Sequence, residues 1–386
     1  MTSRVALAVL VAGLSLGAAA PAPKAAAKAE PAKPLAKVEA AKSASAATAY
    51  RPTSKLALAP NALAPLPAGE KAAWSHAPFE EGNCAICHQK NDPKSPGPLT
   101  MGTNELCYSC HEEFQGLMEE RPHKHKAAKE SCSNCHNAHN AREKKLLLAD
   151  TRTLCLGCHD KVKKEIESGK VVHNAINTGA KCGSCHNPHA SNVEKLLVKL
   201  PFDLCVSCHS TDDLEDNKGK KLINFKKLLD ENPNQHAPVA SKDCSACHKP
   251  HASDNFRLLT LDYPAAFYAP FDVKNYELCF DCHNDQVVAQ ATTTKLTRFR
   301  DGDRNLHFLH VNKEDRGRTC RACHDVHASK QAHHIRESVP YGPKGWMLKV
   351  GYTQTPTGGS CAKTCHATKT YENKKAGDPV PPAKKK

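Results

Sequence analysis

The sequence predicts a mostly irregular fold of short α-helices, built from five doubled repeats with little or no β-sheet, and three observations lead there. The 386-residue chain is only 40 % hydrophobic and 5 % aromatic, too lean to fill the interior of two ordinary domains with side chains alone. It contains 26 Pro and 20 Gly, which interrupt regular elements. Its 20 cysteines recur in evenly spaced pairs, and such a repeat has to be read before any fold is proposed.

The chain opens on an export signal over residues 1–20: Arg4, an apolar stretch from Val5 to Leu16, and the small run Gly17-Ala18-Ala19-Ala20. That stretch is shorter than the roughly 18 residues of a membrane span. No Cys follows it before Cys84, so neither an anchor nor a lipoprotein junction is expected. Residues 21–70 are almost all Ala, Lys, Pro, Leu and Ser and read as a flexible tether. Residues 367–386 read as a tail ending in Lys384-Lys385-Lys386. Residues 71–366 hold every cysteine and divide into units of about 71–115, 116–165, 166–215, 216–290 and 291–366.

Each cysteine pair is followed at once by His. Nine pairs are C-x-x-C-H: Cys84/Cys87/His88, Cys107/Cys110/His111, Cys132/Cys135/His136, Cys155/Cys158/His159, Cys182/Cys185/His186, Cys205/Cys208/His209, Cys244/Cys247/His248, Cys279/Cys282/His283 and Cys320/Cys323/His324. The tenth, Cys361/Cys365/His366, has one more residue between the thiols. This is the attachment pattern of c-type haem. Two thiols about one helical turn apart reach the two vinyl groups on one porphyrin edge, and the next residue turns its imidazole toward the iron. A disulfide framework or structural zinc would also pair cysteines, but neither needs His after every second Cys. Ten haem c groups, and their iron, are the expected cofactors.

First cysteines lie 23 residues apart in units one to three, 35 in the fourth and 41 in the fifth. Leu106, Leu154, Leu204 and Leu278 precede second motifs, whereas polar Asn83, Ser131, Lys181, Asp243 and Thr319 precede first motifs. Two haem environments should therefore alternate.

Haem iron has two axial positions, and the motif histidines fill one. In four units the first motif extends to C-x-x-C-H-x-x-H, giving His139, His189, His251 and His327, while unit one has Asn91 there. A second series lies upstream of the first motifs at His76, His123, His173, His236 and His310. These nine are the expected distal ligands, with the tenth among His125, His307, His333 and His334. A His three residues beyond the proximal one lies on the same side of a helical turn. It cannot wrap to the far face of its own haem, so it should ligate a neighbour and draw the haems within a unit together. The upstream series can serve either its own or an adjacent haem. Methionine, the other common axial ligand, is scarce: only Met101, Met118 and Met347 follow the initiator. Bis-His, low-potential, six-coordinate haems are expected, which favours electron transfer over catalysis, so no enzyme is predicted.

Residues 71–366 contain 40 Lys plus Arg against 35 Asp plus Glu, and ten haems would add about 20 propionate charges. The loaded region should be acidic, which excludes nucleic acid as a partner. Helices are expected at 159–168, before Gly169, and at 220–230, before Pro233.

The run Cys182-Gly-Ser-Cys-His-Asn-Pro-His189-Ala-Ser, then Leu196-Leu197 and Leu204-Cys205-Val-Ser-Cys-His209, resembles the multihaem cytochromes c with doubled CxxCH motifs. Haem number and length are similar to those of the periplasmic decahaem subunit of porin–cytochrome conduits. The resemblance implies an extended multihaem fold in an exported protein of the periplasm or outer membrane. It also implies anaerobic respiratory electrons passing from inner-membrane or periplasmic redox donors to outer-membrane or extracellular acceptors. The partners implied are an outer-membrane porin and an outer-surface multihaem cytochrome. A free shuttle, an extracellular filament-forming cytochrome, and a reductase of a small oxyanion or metal ion with one open haem are the alternatives.

Overall fold

In the computed structural model, residues 52–374 are described, apart from residues 68, 343, 344, 363 and 364. The export signal and most of the tether and tail lie outside them. Among the described residues no helix is long and apolar enough to cross a membrane.

The five units repeat one path. Each first motif in units one to five opens a short 3-10 helix, as at Cys84–Ile86, Cys132–Asn134, Lys181–Ser184, Cys244–Ala246 and Cys320–Ala322. In units one to four the first Cys of the second motif instead lies near the end of a short α-helix: Thr103–Tyr108, Thr151–Leu156, Pro201–Val206 and Glu277–Phe280. In the first two units a new helix starts directly after the motif His, at Glu112–Glu120 and Asp160–Ser168. The second of these matches the expected span. The helix expected at 220–230 is shorter, Phe225–Glu231, because Asn224 caps it through a hydrogen bond from the Lys227 N–H.

The expectation of little or no sheet needs correction: among the described residues seventeen short strands form eight small antiparallel sheets. Five of these join one unit to the next. Trp74–Ser75 pairs with Asn140–Ala141, His123–Lys124 with Ala190–Ser191, Val171–Val172 with Ala252–Ser253, Asn234–Gln235 with Ala328–Ser329, and Tyr268–Ala269 with Gly317–Arg318. Two-residue strands leave no periodic signal in a sequence. The fifth unit adds the hairpin Ser338–Tyr341/Trp346–Lys349 and a three-stranded sheet of Tyr352–Thr355, Gly358–Cys361 and Lys369–Glu372. Residues 369–372 are thus a strand rather than tail, with Tyr371 buried.

Residues 52–67 also depart from the tether reading. The backbone N–H groups of Thr53 and Ser54 donate to the Asn134 side-chain oxygen at 2.5 and 2.8 Å. Further along, the Asn137 amide donates to the carbonyls of Ala62 and Ala64, and the Leu66 N–H donates to Asn140. Of the strap's many Ala, Leu and Pro side chains only Ala57 is buried among the described residues, and Asn134, Asn137 and Asn140 hold it through its backbone.

Apolar packing is sparse. The one sizeable cluster among the described residues is Tyr263, Tyr276, Val288 and Val311, at the junction of units four and five. A continuous cavity of about 4330 Å³ runs past residues of all ten motifs. Its share per motif is a few hundred Å³, the size of an ordinary cofactor site.

Candidate functional site

Nine motif histidines each face a second imidazole in near-parallel stacking. The pairs are His88 with His139, His111 with His76, His136 with His189, His159 with His125, His186 with His251, His209 with His173, His248 with His327, His283 with His236, and His324 with His307. Their ring centroids lie 6.0 to 6.3 Å apart. Two metal–nitrogen bonds of about 2 Å, plus roughly 1.1 Å from each nitrogen to its ring centre, give about 6.2 Å for two imidazoles on opposite sides of one metal ion. Direct ring stacking would bring the rings closer. The spacing fits a six-coordinate iron between each pair.

The pairs follow one rule. The His upstream of each of the first four units faces the second motif of its own unit, while the C-x-x-C-H-x-x-H histidine faces the first motif of the preceding unit. The two series are tied together, because the backbone N–H groups of His76, His125, His173 and His236 donate to the carbonyls of His139, His189, His251 and His327 at 2.8 to 2.9 Å. The sheets between units therefore place both facing histidines of each unit side by side.

The rule also explains the ends. Residues 1–83 hold no motif for a backward-facing His to serve, and Asn91 stands where that His would be. Residues 367–386 hold no motif either, and the helix Leu306–Val311 supplies both His307, which faces His324, and His310. Burial comes first and His366 is among the neighbouring charges in holding His310 below its usual pKa, so His310 lies beside the tenth motif. Among the described residues no imidazole stacks on His366 as in the other nine pairs. Cys361 ends a strand rather than opening a helical turn.

Two expectations change. His125, at the N-cap of Lys126–Glu130, takes the place expected of His123, which lies two residues earlier in the strand His123–Lys124 and faces no motif His. The backward-facing histidines sit in a bend directly ahead of a two-residue strand, not on a helical turn, and so reach across a unit boundary instead of drawing together the haems of one unit. His333 and His334 face no motif His either. His333 offers its carbonyl to the Nδ1 of His324, and His334 packs edge-on against His236.

The first-motif histidines are oriented by a device the sequence reading missed. Their Nδ1 atoms sit 2.8 to 3.1 Å from the carbonyls of Gly97, Lys145, Lys195, Arg257 and His333, each nine residues on. A carbonyl can only accept, so Nδ1 carries the hydrogen and Nε2 keeps its lone pair for a metal. All five acceptor residues have positive φ, between 54° and 77°, a conformation costly for the four that are not Gly. In units two to five the signal is a Lys, Arg or His two residues ahead of the hydrophobic residue that pairs back on the motif His: Leu147, Leu197, Leu259 and Ile335. Among the facing histidines, His76 and His139 donate to the carbonyls of Ala138 and Leu63 at 2.9 Å, so the N-terminal strap holds one of them. Burial pushes His189, His307 and His327 down to about 4. That keeps them as the neutral imidazoles a metal requires.

The thiols show how the motifs adjoin. Between units, Cys107 and Cys132, Cys155 and Cys182, Cys205 and Cys244, and Cys279 and Cys320 are close enough to hydrogen-bond. Within units, burial raises Cys87, Cys135, Cys185, Cys247 and Cys323, and the cysteines of the same unit's second motif add to the effect. The ten cysteine motifs thus adjoin one another in sequence order.

Residues 76–116, 125–164, 173–214 and 236–288 each match the family model of the doubled CXXCH motif. These segments carry that family's repeat. The doubled motif binds haem c covalently through its thiols, which supplies the iron that the facing imidazoles fit. The four matched segments begin or nearly begin at His76, His125, His173 and His236, the histidines that face second motifs. No curated protein matches the chain.

Proposed function

We propose that the protein is an exported electron carrier that holds ten c-type haems in a row, in the order of their motifs. The carrying observation is the set of nine imidazole pairs at 6.0 to 6.3 Å, each containing one motif His. His310 serves as the distal ligand at His366. Haem c supplies a reversible one-electron couple. The polypeptide attaches it, supplies both axial nitrogens, fixes their tautomers and sets neighbouring sites in contact, so that electrons hop from site to site. Full coordination leaves no position for a substrate, which supports a carrier over an enzyme.

The row has two ends, and its length suits transfer between separate partners. Respiratory electrons enter from an inner-membrane or periplasmic donor and leave toward an outer-membrane or extracellular acceptor. A porin and an outer-surface multihaem cytochrome are the partners that the family resemblance suggests.

Reduction of a small oxyanion at the tenth motif is the second reading, favoured by its strand-borne Cys361 and by the lack of a stacked imidazole at His366. Low-temperature electron paramagnetic resonance of the oxidised protein, with intact mass for the haem count, separates the two. Ten haems with an entirely low-spin signal support the carrier. A high-spin signal from about a tenth of the iron supports the reductase.

A further inference from the structure

The junction between units four and five differs from the three before it. At each junction, three positions recur in fixed register with the pair formed by a first-motif His and the facing His of the next unit. They are the residue whose carbonyl orients the motif His, the residue after the first Cys of the next motif, and the residue twelve places beyond that motif's His. At the pair His88–His139 these are Gly97, Ser133 and Leu148. At His136–His189 they are Lys145, Gly183 and Val198, and at His186–His251 they are Lys195, Ser245 and Thr260. At His248–His327 all three are arginine: Arg257, Arg321 and Arg336.

The register is the same throughout, since the backbone N–H of Thr100, Leu148, Val198, Thr260 and Arg336 donates to the second Cys of its own motif in each case. The arginines are therefore a change of chemistry on a fixed frame. Arg336 donates to the His324 carbonyl at 3.1 Å and pairs with Asp325 at 3.3 Å. The Arg321 backbone N–H donates to the Tyr263 hydroxyl at 2.8 Å, while its buried Nε has no partner. Arg257 and Arg321 line the same cavity as His248 and His327. Burial, then Arg321, lowers Arg257, so the guanidinium groups crowd one another. Arg321 and Arg336 are half-buried and Arg257 is exposed. Asp325 pairs with Arg336 and Asp216 acts on Arg257, so three cations outnumber two carboxylates. With the Arg321 Nε shut away from water, the cluster keeps positive charge that calls for an anion.

We propose that Arg257, Arg321 and Arg336 form a cradle for haem propionate carboxylates at the His248–His327 site, and that this site has a higher reduction potential than its three counterparts. The inference rests on the haem loading proposed above. Reduction adds an electron, so neighbouring cations favour the reduced state, and guanidinium pairing also cancels the opposing propionate charge. The chain then holds an electron well at its fourth unit, beside a fifth unit that has seven of the eleven arginines between residues 71 and 366.

The test is a redox titration followed by haem absorbance on the purified full-length protein and on R257Q, R321Q and R321K, with haem count by intact mass. About a tenth of the absorbance change should move to lower potential in both Gln variants and hold its place in R321K. Adding inorganic phosphate to the wild type should shift nothing. A shift that grows with phosphate would mean that the cradle holds a free oxyanion, and would overturn the propionate assignment. The reciprocal variant K195R/S245R, at two exposed positions, should move about a tenth of the change to higher potential. That readout stands if the Gln variants lose haem. Unshifted titrations at full haem count, or a transplant without effect, overturn the cradle and leave the ten-haem carrier intact. A wild-type mass short of ten haems instead overturns the loading.

Discussion

Single residues decide which sites are filled. Among the described residues His139 is the one imidazole stacked on His88, so His139→Ala should turn about a tenth of the iron high-spin in electron paramagnetic resonance at unchanged haem count, because attachment uses only thiols. Asn91→His should leave that signal untouched, since residues 1–83 hold no motif for a His there to serve. A charge prediction follows from Asp150, which caps Thr151–Leu156 through the Arg152 N–H and meets Lys181 at 2.8 Å. The hydrogen bond from Lys181, then that from Thr153, holds its carboxyl at about 2, below the roughly 3.9 of a free carboxylate. A depressed folded-state pKa stabilises above the unfolded value and is lost as pH falls through the folded one. Asp150→Asn, which keeps a capping side chain, should therefore lower the melting temperature at about pH 6 and have little effect near pH 2.

At the scale of elements, the staples between units and the N-terminal strap hold the histidines in place. Asn134 accepts from Thr53 and Ser54 and donates to the Ala127 carbonyl at 2.9 Å. Asn134→Ala should weaken docking of residues 52–66 by about 2 kcal/mol, seen as roughly 30-fold faster limited proteolysis within the strap. Unchanged cleavage would mean that the asparagine contacts contribute little. These elements also mark what the sequence could show. The motifs were legible because covalent chemistry demands fixed residues at fixed spacing, and the helix at 160–168 because its pattern is long enough to repeat. The strap and the two-residue strands were not, because backbone hydrogen bonds hold them and backbone groups are the same in every residue. Spacing to the next motif favours His123 over His125. The structure selects His125 because the residue two places later falls at a helix N-cap, where extended backbone, φ −70° and ψ 126°, brings its ring opposite His159.

At the scale of the molecule, none of the first four units is complete alone. Each of the first four units takes the imidazole facing its first motif from the unit that follows, so the array is an interlocked chain and not a string of independent beads. Unit five takes the imidazole facing His324 from its own helix Leu306–Val311, which also holds His310. A cut at a unit boundary should then open one site and spare the rest. In the fragment 1–215, His173 stays to face His209, but His186 loses His251 and the strand Val171–Val172 loses its partner. If each motif attaches its haem independently, the fragment should contain six haems by intact mass, with about a sixth of its iron high-spin and the remainder low-spin. Adding His251→Ala to the full-length chain should open the same site without a truncation, at about a tenth of the iron. A fragment that is wholly low-spin would show that His186 finds another ligand, and the backward reach between units would not be what completes each site. A fragment that loses most of its haems would show instead that the array needs all five units before any of them can hold its cofactors.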